Sequence, residues 1–493
     1  MSPVPGSLTV QNWLRVCLAQ HGRCRNSQKP QSELNLIDCR SQRVLSIAEI
    51  GTGEPDYLAL SYDAIDVVLK LGYYYLWIDK YCVDQHDKCK KHEQLMHMGH
   101  VYKNATLTIV AAAGHDESYG LPGVSSTRLH RQTSFKNDGD GYELRSTLPL
   151  PHSSIAKSKW ASRGWTYQEA ILSRRRLVFT DEQLYFECNS TSCVEAFDIS
   201  FDNTFSASEI DHERSIRSPL FSLYQLSAVA LSGRAARLNN FSTYTHCAEQ
   251  YSKRTLTFDR DSLVAFSGII RVLESITPFP VRHIWGVPFF HPDDDNTGFD
   301  YLAYLMLGLC WRHVPSEKPP RRRHDLPSWS WTGWEGALTW PRLSKDSDIR
   351  SSTWAETSIS LASDSSESVP ELYHKSTDAH LLAQSNKSLH IRTSAISPSA
   401  FVFNESSSSL VLITGGEVKL YPSKSELDAS KVFRRIQSAR YGIIRLATID
   451  GNTYMMLIKR YRNAYYRIGI MVVKDLYLTY SLFTSKIETF KLR

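Results

Sequence analysis

The pattern of hydrophobic and polar positions in the first part of the chain alternates between strand-like and helix-like segments. Three short apolar runs rich in strand-forming residues are DYLALSY (56–62), YYYLWID (73–79) and TLTIVAAAG (106–114). Apolar residues at helical spacing separate these runs, in DAIDVVLKLG and again around residues 90–105. A helix–strand unit over 162–188 follows. Strands that alternate with helices predict an α/β fold with a parallel sheet.

The rest of the chain shows other patterns. The best apolar stretch, Tyr301–Trp311, is shorter than the roughly 18 residues that a membrane span needs, so we expect a buried element and no stable membrane insertion. Strand-like alternation dominates the end of the chain. We therefore predict an N-terminal helical segment (1–34), the α/β domain (35–190), a mainly helical middle region (191–343), a Ser-rich linker or loop (344–370) and a β-rich C-terminal region (371–493).

Composition and charge argue against a nucleic-acid partner. The formal net charge is +6, and the only short basic clusters are Arg174–Arg176 and Arg321–Arg323. No helix-turn-helix pattern, zinc-finger spacing or aromatic RNA-binding motif accompanies them. We therefore interpret the basic residues as solvated surface charge and expect no nucleic acid.

The cysteines and the N-terminus favour the cell interior. The nine cysteines are scattered without the spacing of a disulfide framework, which is typical of reduced thiols. The N-terminus lacks the basic region and long apolar core of a secretion signal. We expect a cytoplasmic protein, and a nuclear location is also compatible with the sequence.

Polar residues follow the second apolar run, in the segment LWIDKYCVDQHD. Asp79, Cys82, Asp84 and Gln85 come at or just after the carboxyl end of the predicted strand. Ligands bind at that edge of an open parallel sheet, so these groups are candidates for hydrogen bonding or acid–base chemistry. Aspartates also cap helices and fix turns, and this structural interpretation stays open.

The helix around residues 90–105 carries an amide on its apolar face. A helical wheel groups Gln94 with Leu95, Met98, Val101, Tyr102 and Ala105. Because a buried amide needs partners, we expect Gln94 to bridge to the loop at Asp84 and Gln85. Glu93 lies on the opposite face, and it is either a catalytic candidate or a charge that complements the helix dipole.

A third candidate group lies in RGWTYQEAILSRRRLVF. One stripe of the predicted helix is formed by Trp165, Gln168, Glu169 and Leu172. A carboxylate and an amide beside a Trp and a Leu are not expected to face open water together. Glu169 either pairs with Arg163 or Arg174 as a structural bridge, or it faces a pocket.

Metal and nucleophile signals are weak in the sequence. Cys17, His21 and Cys24 are spaced like metal ligands, and Cys39 would be a fourth donor. Structural zinc sites usually show tighter paired spacings, so we expect no metal site. Cys82 has histidines nearby, but no orienting third group accompanies them, so we expect no cysteine nucleophile.

Together the three motif segments resemble the fungal heterokaryon-incompatibility (HET) domain. YLALSY is similar to the first motif of that domain. LWIDKYCVDQ, with the downstream Gln94, Met98, Tyr102 and Ala105, resembles the second motif, and RGWTYQEAILSRRRLVF resembles the third. The resemblance implies an effector of non-self recognition and programmed cell death. Its partners would be proteins, such as the product of an incompatibility allele or a signalling receptor, or a second copy in a homo-oligomer. The resemblance implies no cofactor.

HET domains have also been likened to TIR domains, some of which cleave NAD. This likeness implies an alternative function, a TIR-like NAD hydrolase of flavodoxin-like fold, with NAD as substrate and Glu93 and Glu169 as candidate catalytic residues. Two departures from the family pattern indicate a further alternative, an inactive degenerate HET paralogue. Asp63 follows Tyr62 without the loop that usually comes after strand one in this family. Lys90 occupies the position, one helical turn before Gln94, where the family often has an acidic residue.

Overall fold

The structure is a computed structural model of the 493-residue chain. The residues that it describes are 7–25, 34–51, 55–60, 65–125, 128, 133–136, 143–146, 148–196, 233–291, 300–351, 358–360, 387–423, 428–438 and 440–493. The chain divides into two compact units. The first comprises Met1–Leu226 and Val264–Ile269, and the second comprises Ser227–Leu263 and Ile270–Arg493.

Helices and strands alternate along the first unit. Its helices are α1 (Ser7–Gln20), α2 (Ile47–Ile50), α3 (Ile65–Lys70), α4 (Asp79–Cys82), α5 (Lys88–Asn104), α6 (Pro151–Lys157), α7 (Lys159–Ser162) and α8 (Trp165–Leu172). Its strands are β1 (Asn35–Asp38), β2 (Arg43–Ser46), β3 (Tyr57–Leu60), β4 (Tyr75–Ile78), β5 (Leu107–Ala111), β6 (Ser134–Lys136), β7 (Glu143–Arg145), β8 (Arg175–Phe179), β9 (Leu184–Cys188) and β10 (Ser192–Val194).

One mixed sheet organises this unit, with the strand order β10-β9-β8-β5-β3-β4-β1-β2. The four central strands β8, β5, β3 and β4 run parallel. The strands at the two edges pair antiparallel with their neighbours. The predicted α/β fold with a parallel sheet is therefore confirmed, and the three apolar runs form β3, β4 and β5.

Both faces of the central sheet are covered by packed side chains. Strands β3, β8 and β9 are buried along their whole length, which suits strands with packed layers on both sides. In β5, Leu107 and Ile109 join the larger hydrophobic cluster, whereas Val110 joins a smaller one. Helix α5 buries Met98 and Tyr102, so its predicted apolar face is confirmed.

The direction of the chain across the sheet reverses at β3. From β3 the chain passes through α3 to the neighbouring β4, and then through α5 to β5 on the other side of β3. In open α/β sheets, ligands bind in the crevice that such a reversal leaves at the carboxyl ends of the strands. The fold therefore points to the carboxyl ends of β3 and β5. Residues 61–64, where the sequence departs from the family pattern, lie outside the described residues.

Three consecutive arginines lie at the start of β8. Arg175 and Arg176 are 2% and 0% exposed, and Arg174 is half-buried. Arg176 Nη1 lies 3.2 Å from Glu187 Oε1 in an ion pair closed to solvent, and the Tyr185 hydroxyl donates a hydrogen bond to the same carboxylate at 2.7 Å. The interpretation of this cluster as solvated surface charge is therefore wrong, because its guanidinium groups donate hydrogen bonds to buried acceptors.

The second unit combines helices, short hairpins and a large sheet. Its helices are α9 (Gly233–Ser252), α10 (Asp261–Val264), α11 (Ser267–Glu274), α12 (Tyr301–Gly308) and α13 (Ala429–Ile436), of which α10 and α11 extend across the boundary between the units. Its strands are β11 (Arg282–Ile284), β12 (Val287–Phe289), β13 (Arg312–His313), β14 (Arg321–Arg322), β15 (Trp334–Glu335), β16 (Leu338–Thr339), β17 (Ile349–Ser351), β18 (Ser358–Ser360), β19 (Leu389–Ile396), β20 (Phe401–Asn404), β21 (Ser409–Leu412), β22 (Glu417–Pro422), β23 (Tyr441–Ile449), β24 (Asn452–Tyr461), β25 (Ala464–Lys474) and β26 (Phe483–Leu492).

Strands β17 to β26 form one sheet in the described part of this unit, and the predicted β-rich C-terminal region is confirmed. Its pairings are antiparallel except for a single parallel contact between β25 and β26. The apolar stretch that begins at Tyr301 forms the buried helix α12. No helix among the described residues is long and apolar enough to cross a membrane.

The second basic cluster is partly buried as well. Arg321 is exposed and forms ion pairs with Asp259 and Glu335, both at 2.6 Å. Arg323 is 5% exposed and donates to the Thr332 carbonyl at 3.3 Å. The surface interpretation therefore holds for Arg321 and is wrong for Arg323, because the carbonyl groups around Arg323 are buried.

Two predicted boundaries fall partly outside the described residues. Residues 197–232, which cover most of the composition shift after the α/β domain, are not described. The same holds for 352–357 and 361–386, which include much of the predicted Ser-rich linker. The described parts of that segment include β17 and β18, which pair with β23 and β19.

Replacing Glu187 by Gln is expected to destabilise the first unit, because the Arg176 guanidinium would stay buried without its carboxylate. We expect the free energy of unfolding to fall by about 3 kcal/mol. The control Tyr185→Phe removes the hydrogen bonds of the phenol with Glu187 and Ser192 and keeps the ion pair, so it should cost less, about 1–2 kcal/mol. Chemical denaturation of the full chain measures both values. A Glu187→Gln protein as stable as the parent would contradict this account of the buried pair.

Candidate functional site

The loop after β4 is held together by its own polar groups. Asp84 Oδ1 accepts hydrogen bonds from the backbone N–H groups of Asp87 and His86 at 3.0 and 2.9 Å. These donors lower the pKa of the Asp84 carboxyl. Gln94 Oε1 accepts a hydrogen bond from the Asp84 N–H at 2.8 Å, so the predicted bridge from Gln94 to this loop is confirmed. Asp84 and Gln94 therefore shape the loop.

Gln85 and Cys82 also contact the backbone of this segment. Gln85 Nε2 donates to the carbonyls of Val83 at 3.1 Å and Asp79 at 3.3 Å. The Cys82 side chain is 3% exposed, and its Sγ accepts a hydrogen bond from the Ile78 N–H at 3.5 Å. Burial raises the pKa of the Cys82 thiol to about 12. The thiol therefore stays protonated at neutral pH and acts as a small core side chain.

Glu93 lies on the exposed side of α5. The helix begins at Lys88, and Asp87 caps it by accepting hydrogen bonds from the N–H groups of Cys89 and Lys90. Glu93 is therefore in the second turn, beyond the reach of the helix-end dipole, which falls off within the first turn. The dipole interpretation of Glu93 is wrong for this reason, and Asp87 occupies the capping position instead.

The predicted stripe on α8 is turned inward. Gln168, Glu169 and Leu172 are 0%, 4% and 7% exposed, and Trp165 packs at the edge of the larger hydrophobic cluster. Helix α8 packs against α5, which also carries Tyr102. The expectation that these polar groups avoid open water is confirmed.

Tyr102 brings together residues from separate motifs. Its phenol is 1% exposed, and its pKa lies well above the usual range because burial disfavours the phenolate and because Glu169 and Asp79 add negative charge nearby. The side chains of Tyr102 and Glu169 share a hydrogen bond, and the positive charge of Arg163 acts on the same phenol. Asp79, Tyr102, Arg163 and Glu169 thus form one electrostatic group, which we call the Tyr102 group.

The two arginines considered as partners of Glu169 have different roles. Arg174 donates to the carbonyls of Lys103, Asn104 and Ala105, so it caps the carboxyl end of α5. Arg163 belongs to the Tyr102 group and also lines a cavity. Arg163 is therefore both a member of the Tyr102 group and part of the cavity wall.

Gln168 has an unusual environment. It is completely buried, and neither its Oε1 nor its Nε2 has a hydrogen-bond partner among the described residues. The side chain packs against Gly268, where an added Cβ would come within 2.7 Å of Gln168 Oε1. Gly99 of α5 approaches the same glycine, and a Cβ on Gly99 would lie 2.9 Å from the Gly268 Cα. Two glycines therefore let these backbones meet beside a buried amide.

A cavity of about 560 Å³ opens at the carboxyl end of β5, beside the reversal point of the sheet. Its walls come from the segment after β5 and from α7 with the residue that follows it. The lining residues are Ala111, Ala113, Gly114, His115, Asp116, Ser118, Tyr119, Gly120, Leu121, Ser125, Lys159, Trp160 and Arg163. Its position agrees with the general rule for ligand sites in open α/β sheets.

Glycine and tyrosine shape the wall of this cavity. Gly114 has φ +69°, and a Cβ there would lie 2.2 Å from the Tyr119 ring. The Tyr119 hydroxyl donates to Asp181 Oδ1 at 2.5 Å, which fixes the ring. Lys159 and Arg163 supply positive charge, and Asp116 supplies a carboxylate. The arrangement suits a small polar ligand that carries negative charge.

The patterns in the sequence do not predict this lining. None of Glu93, Glu169, Asp79, Cys82, Asp84, Gln85, Gln94, Trp165 or Gln168 is among the residues that line the cavity. The lining segment after β5 fell in a region predicted only as loop. A useful signal was the run of small residues at 111–114, because small side chains after a buried strand leave room for a ligand.

The fold is that of an α/β protein with a cavity at the carboxyl edge of a partly parallel sheet. Residues 46–169 match the family described as heterokaryon incompatibility protein (HET), and the chain is therefore a HET domain-containing protein. All residues lining the cavity fall within the matched segment. The chain matches no curated protein and no solved structure.

The contrast between Gln94 and Gln168 predicts opposite effects on stability. Gln94→Ala should lower the free energy of unfolding by about 1 kcal/mol, because the Asp84 N–H loses its acceptor. Gln168→Met removes a buried amide without partners and keeps a similar volume, so stability should be equal or higher. Chemical denaturation of the two variants beside the parent measures this. A clear loss of stability in Gln168→Met would show that the amide makes a stabilising contact.

Proposed function

We propose that this protein is an effector of heterokaryon incompatibility in fungi, which takes part in non-self recognition and promotes the death of fused cells. The observation that carries the proposal is the coincidence of the HET match with the cavity, since every lining residue falls within residues 46–169. The effector acts in the cytoplasm through protein partners or a second copy of itself.

The cavity supports a role for a small ligand in this activity. Its volume of about 560 Å³ lies within the usual range for small-molecule sites. Lys159 is exposed at the cavity, and the charge of Arg163 acts on Tyr102, which shares a hydrogen bond with the buried Glu169. A negatively charged ligand that pairs with Lys159 and Arg163 would therefore bias the packing of α5 against α8, which carry Tyr102 and Glu169.

Hydrolysis of NAD is the second candidate function, and the positive charge at the cavity favours it because a diphosphate would fit there. The positions of the carboxylates are less favourable for NAD hydrolysis. Glu169 is buried against Tyr102, Glu93 is exposed on α5, and Asp116 is the carboxylate that lines the cavity within the described chain. An NAD-cleaving site would therefore depend on Asp116.

Lys159→Glu is expected to abolish effector activity, because it reverses the charge at the cavity without disturbing a buried side chain. The measurement is colony survival after induced expression of the full chain in a filamentous fungus, with protein level followed by immunoblot. Cells that express the parent protein should die, whereas cells that express the variant should survive as well as cells that carry the empty vector. The matched control is Lys157→Glu, which reverses an exposed charge on the preceding helix and should kill like the parent.

Two outcomes would contradict the effector proposal. Survival of cells that accumulate the parent protein would favour the inactive paralogue. If Lys159→Glu kills as many cells as the parent does, the effector activity does not depend on the positive charge at the cavity.

Release of nicotinamide by the purified full chain tests the enzymatic candidate. If NAD is the substrate, chromatography will detect nicotinamide, Asp116→Asn will abolish its release, and Glu93→Gln will leave it unchanged because Glu93 lies away from the cavity. Killing by the parent without any nicotinamide release would reject hydrolysis and retain the effector function.

A further inference from the structure

Three cysteines and a histidine converge in the first unit. The side-chain donor atoms of Cys17, His21, Cys24 and Cys188 all lie within 4.8 Å of one another. The three cysteines are 0% exposed and His21 is half-buried. Cys188 Sγ lies 3.3 Å from His21 Nδ1, and all three cysteines are free. Four groups that commonly bind metal ions therefore face one point.

The backbone brings three of the donors together locally. Cys17 lies in the last turn of α1, and Cys24 ends a 3₁₀ turn that follows the helix. The His21 N–H donates to the Cys17 carbonyl at 3.1 Å, and the Cys24 N–H donates to the His21 carbonyl at 3.0 Å. Cys188 is the last residue of β9, 167 residues from His21 along the chain. The sheet therefore supplies Cys188 as the fourth donor, whereas the sequence spacing suggested Cys39.

Hydrogen-bond donors surround the sulfur atoms. Arg175 Nε donates to Cys17 Sγ at 3.1 Å, and the Ser190 N–H donates to Cys188 Sγ at 3.4 Å. Donors aimed at sulfur stabilise thiolates, and thiolate is the form that binds metal ions.

A disulfide explains less of this geometry than a metal ion does. A disulfide would join two of the sulfurs and leave the third sulfur and the imidazole without a role. A tetrahedral zinc ion uses all four groups, and Zn–S bonds of about 2.3 Å place the sulfurs about 3.8 Å apart. The observed cluster needs only a small contraction to reach that geometry.

We propose that Cys17, His21, Cys24 and Cys188 bind one Zn²⁺ ion in a closed tetrahedral site. Because four protein ligands leave no open position, the ion is structural and not catalytic. Three thiolates and Zn²⁺ together carry one net negative charge, which the Arg175 guanidinium balances.

The position of the ligands defines what the ion does. Cys17, His21 and Cys24 precede the segment that matches the HET family, and Cys188 follows it. The ion therefore clamps the two flanks of the HET segment together and fixes α1 against the end of β9. Metal binding and folding of these flanks are consequently coupled.

Metal analysis of the full chain tests this site. The protein, purified without chelator, should contain one zinc per chain by plasma mass spectrometry. Cys17→Ser and Cys188→Ser should each lose most of it. The matched control is Cys39→Ser, which alters a cysteine that is 2% exposed but lies outside the cluster, and it should keep the full zinc content.

Cobalt substitution keeps the test decisive if a serine variant fails to fold. Replacing zinc by Co²⁺ in the parent should give the visible absorption of a tetrahedral site with thiolate ligands. His21→Cys retains four donors, so it should bind Co²⁺ with a spectrum shifted towards four thiolates. Absence of stoichiometric zinc in the parent, an unshifted His21→Cys spectrum, or a Cys17–Cys188 disulfide in non-reducing mass spectrometry would overturn the proposal.

Discussion

The first unit depends on three neighbouring guanidinium groups that donate hydrogen bonds to backbone carbonyls inside it. Arg174 donates to the carbonyls at the end of α5, and Arg176 donates to those at the end of α8, including the carbonyl of Ala170. Arg175 reaches the carbonyls of Thr106 and Cys24. Helix ends leave their last carbonyls without intrahelical partners, and burial makes such groups costly. The short segment Arg174–Arg176 therefore satisfies two helix ends and anchors the N-terminal segment.

The same packing explains how the cavity and the Tyr102 group are related. Both helices that these arginines cap, α5 and α8, carry members of that group, and Arg163 lies between α7 and α8. Gly99 of α5 also approaches Gly268 of α11 closely. A charge that enters the cavity at Arg163 would therefore act on the buried Tyr102 and Glu169, where electrostatic interactions are stronger than in water.

The family match and the cysteine cluster describe complementary parts of this unit. The match covers β3, β4, β5 and the cavity, and it ends within α8. The cluster lies outside it on both sides, and Arg175 contacts the cluster through Cys17 while its neighbour Arg176 holds the carbonyls of α8. The arginines of β8 thus link the matched segment to its flanks. A metal ion at the cluster would stabilise the frame from which the cavity is built.

The sequence by itself determined the alternation of strands and helices, because the apolar runs of β3, β4 and β5 and the periodic face of α5 are local patterns. It also determined the Gln94 bridge, since a polar group on an apolar face must find a nearby partner. Only the tertiary structure decided that Arg175 and Arg176 are buried and that Cys188, and not Cys39, joins Cys17, His21 and Cys24. The order of strands likewise decided that the cavity opens beside β5 and not at the loop after β4. These features depend on contacts between residues far apart in the chain, which spacing and periodicity do not encode.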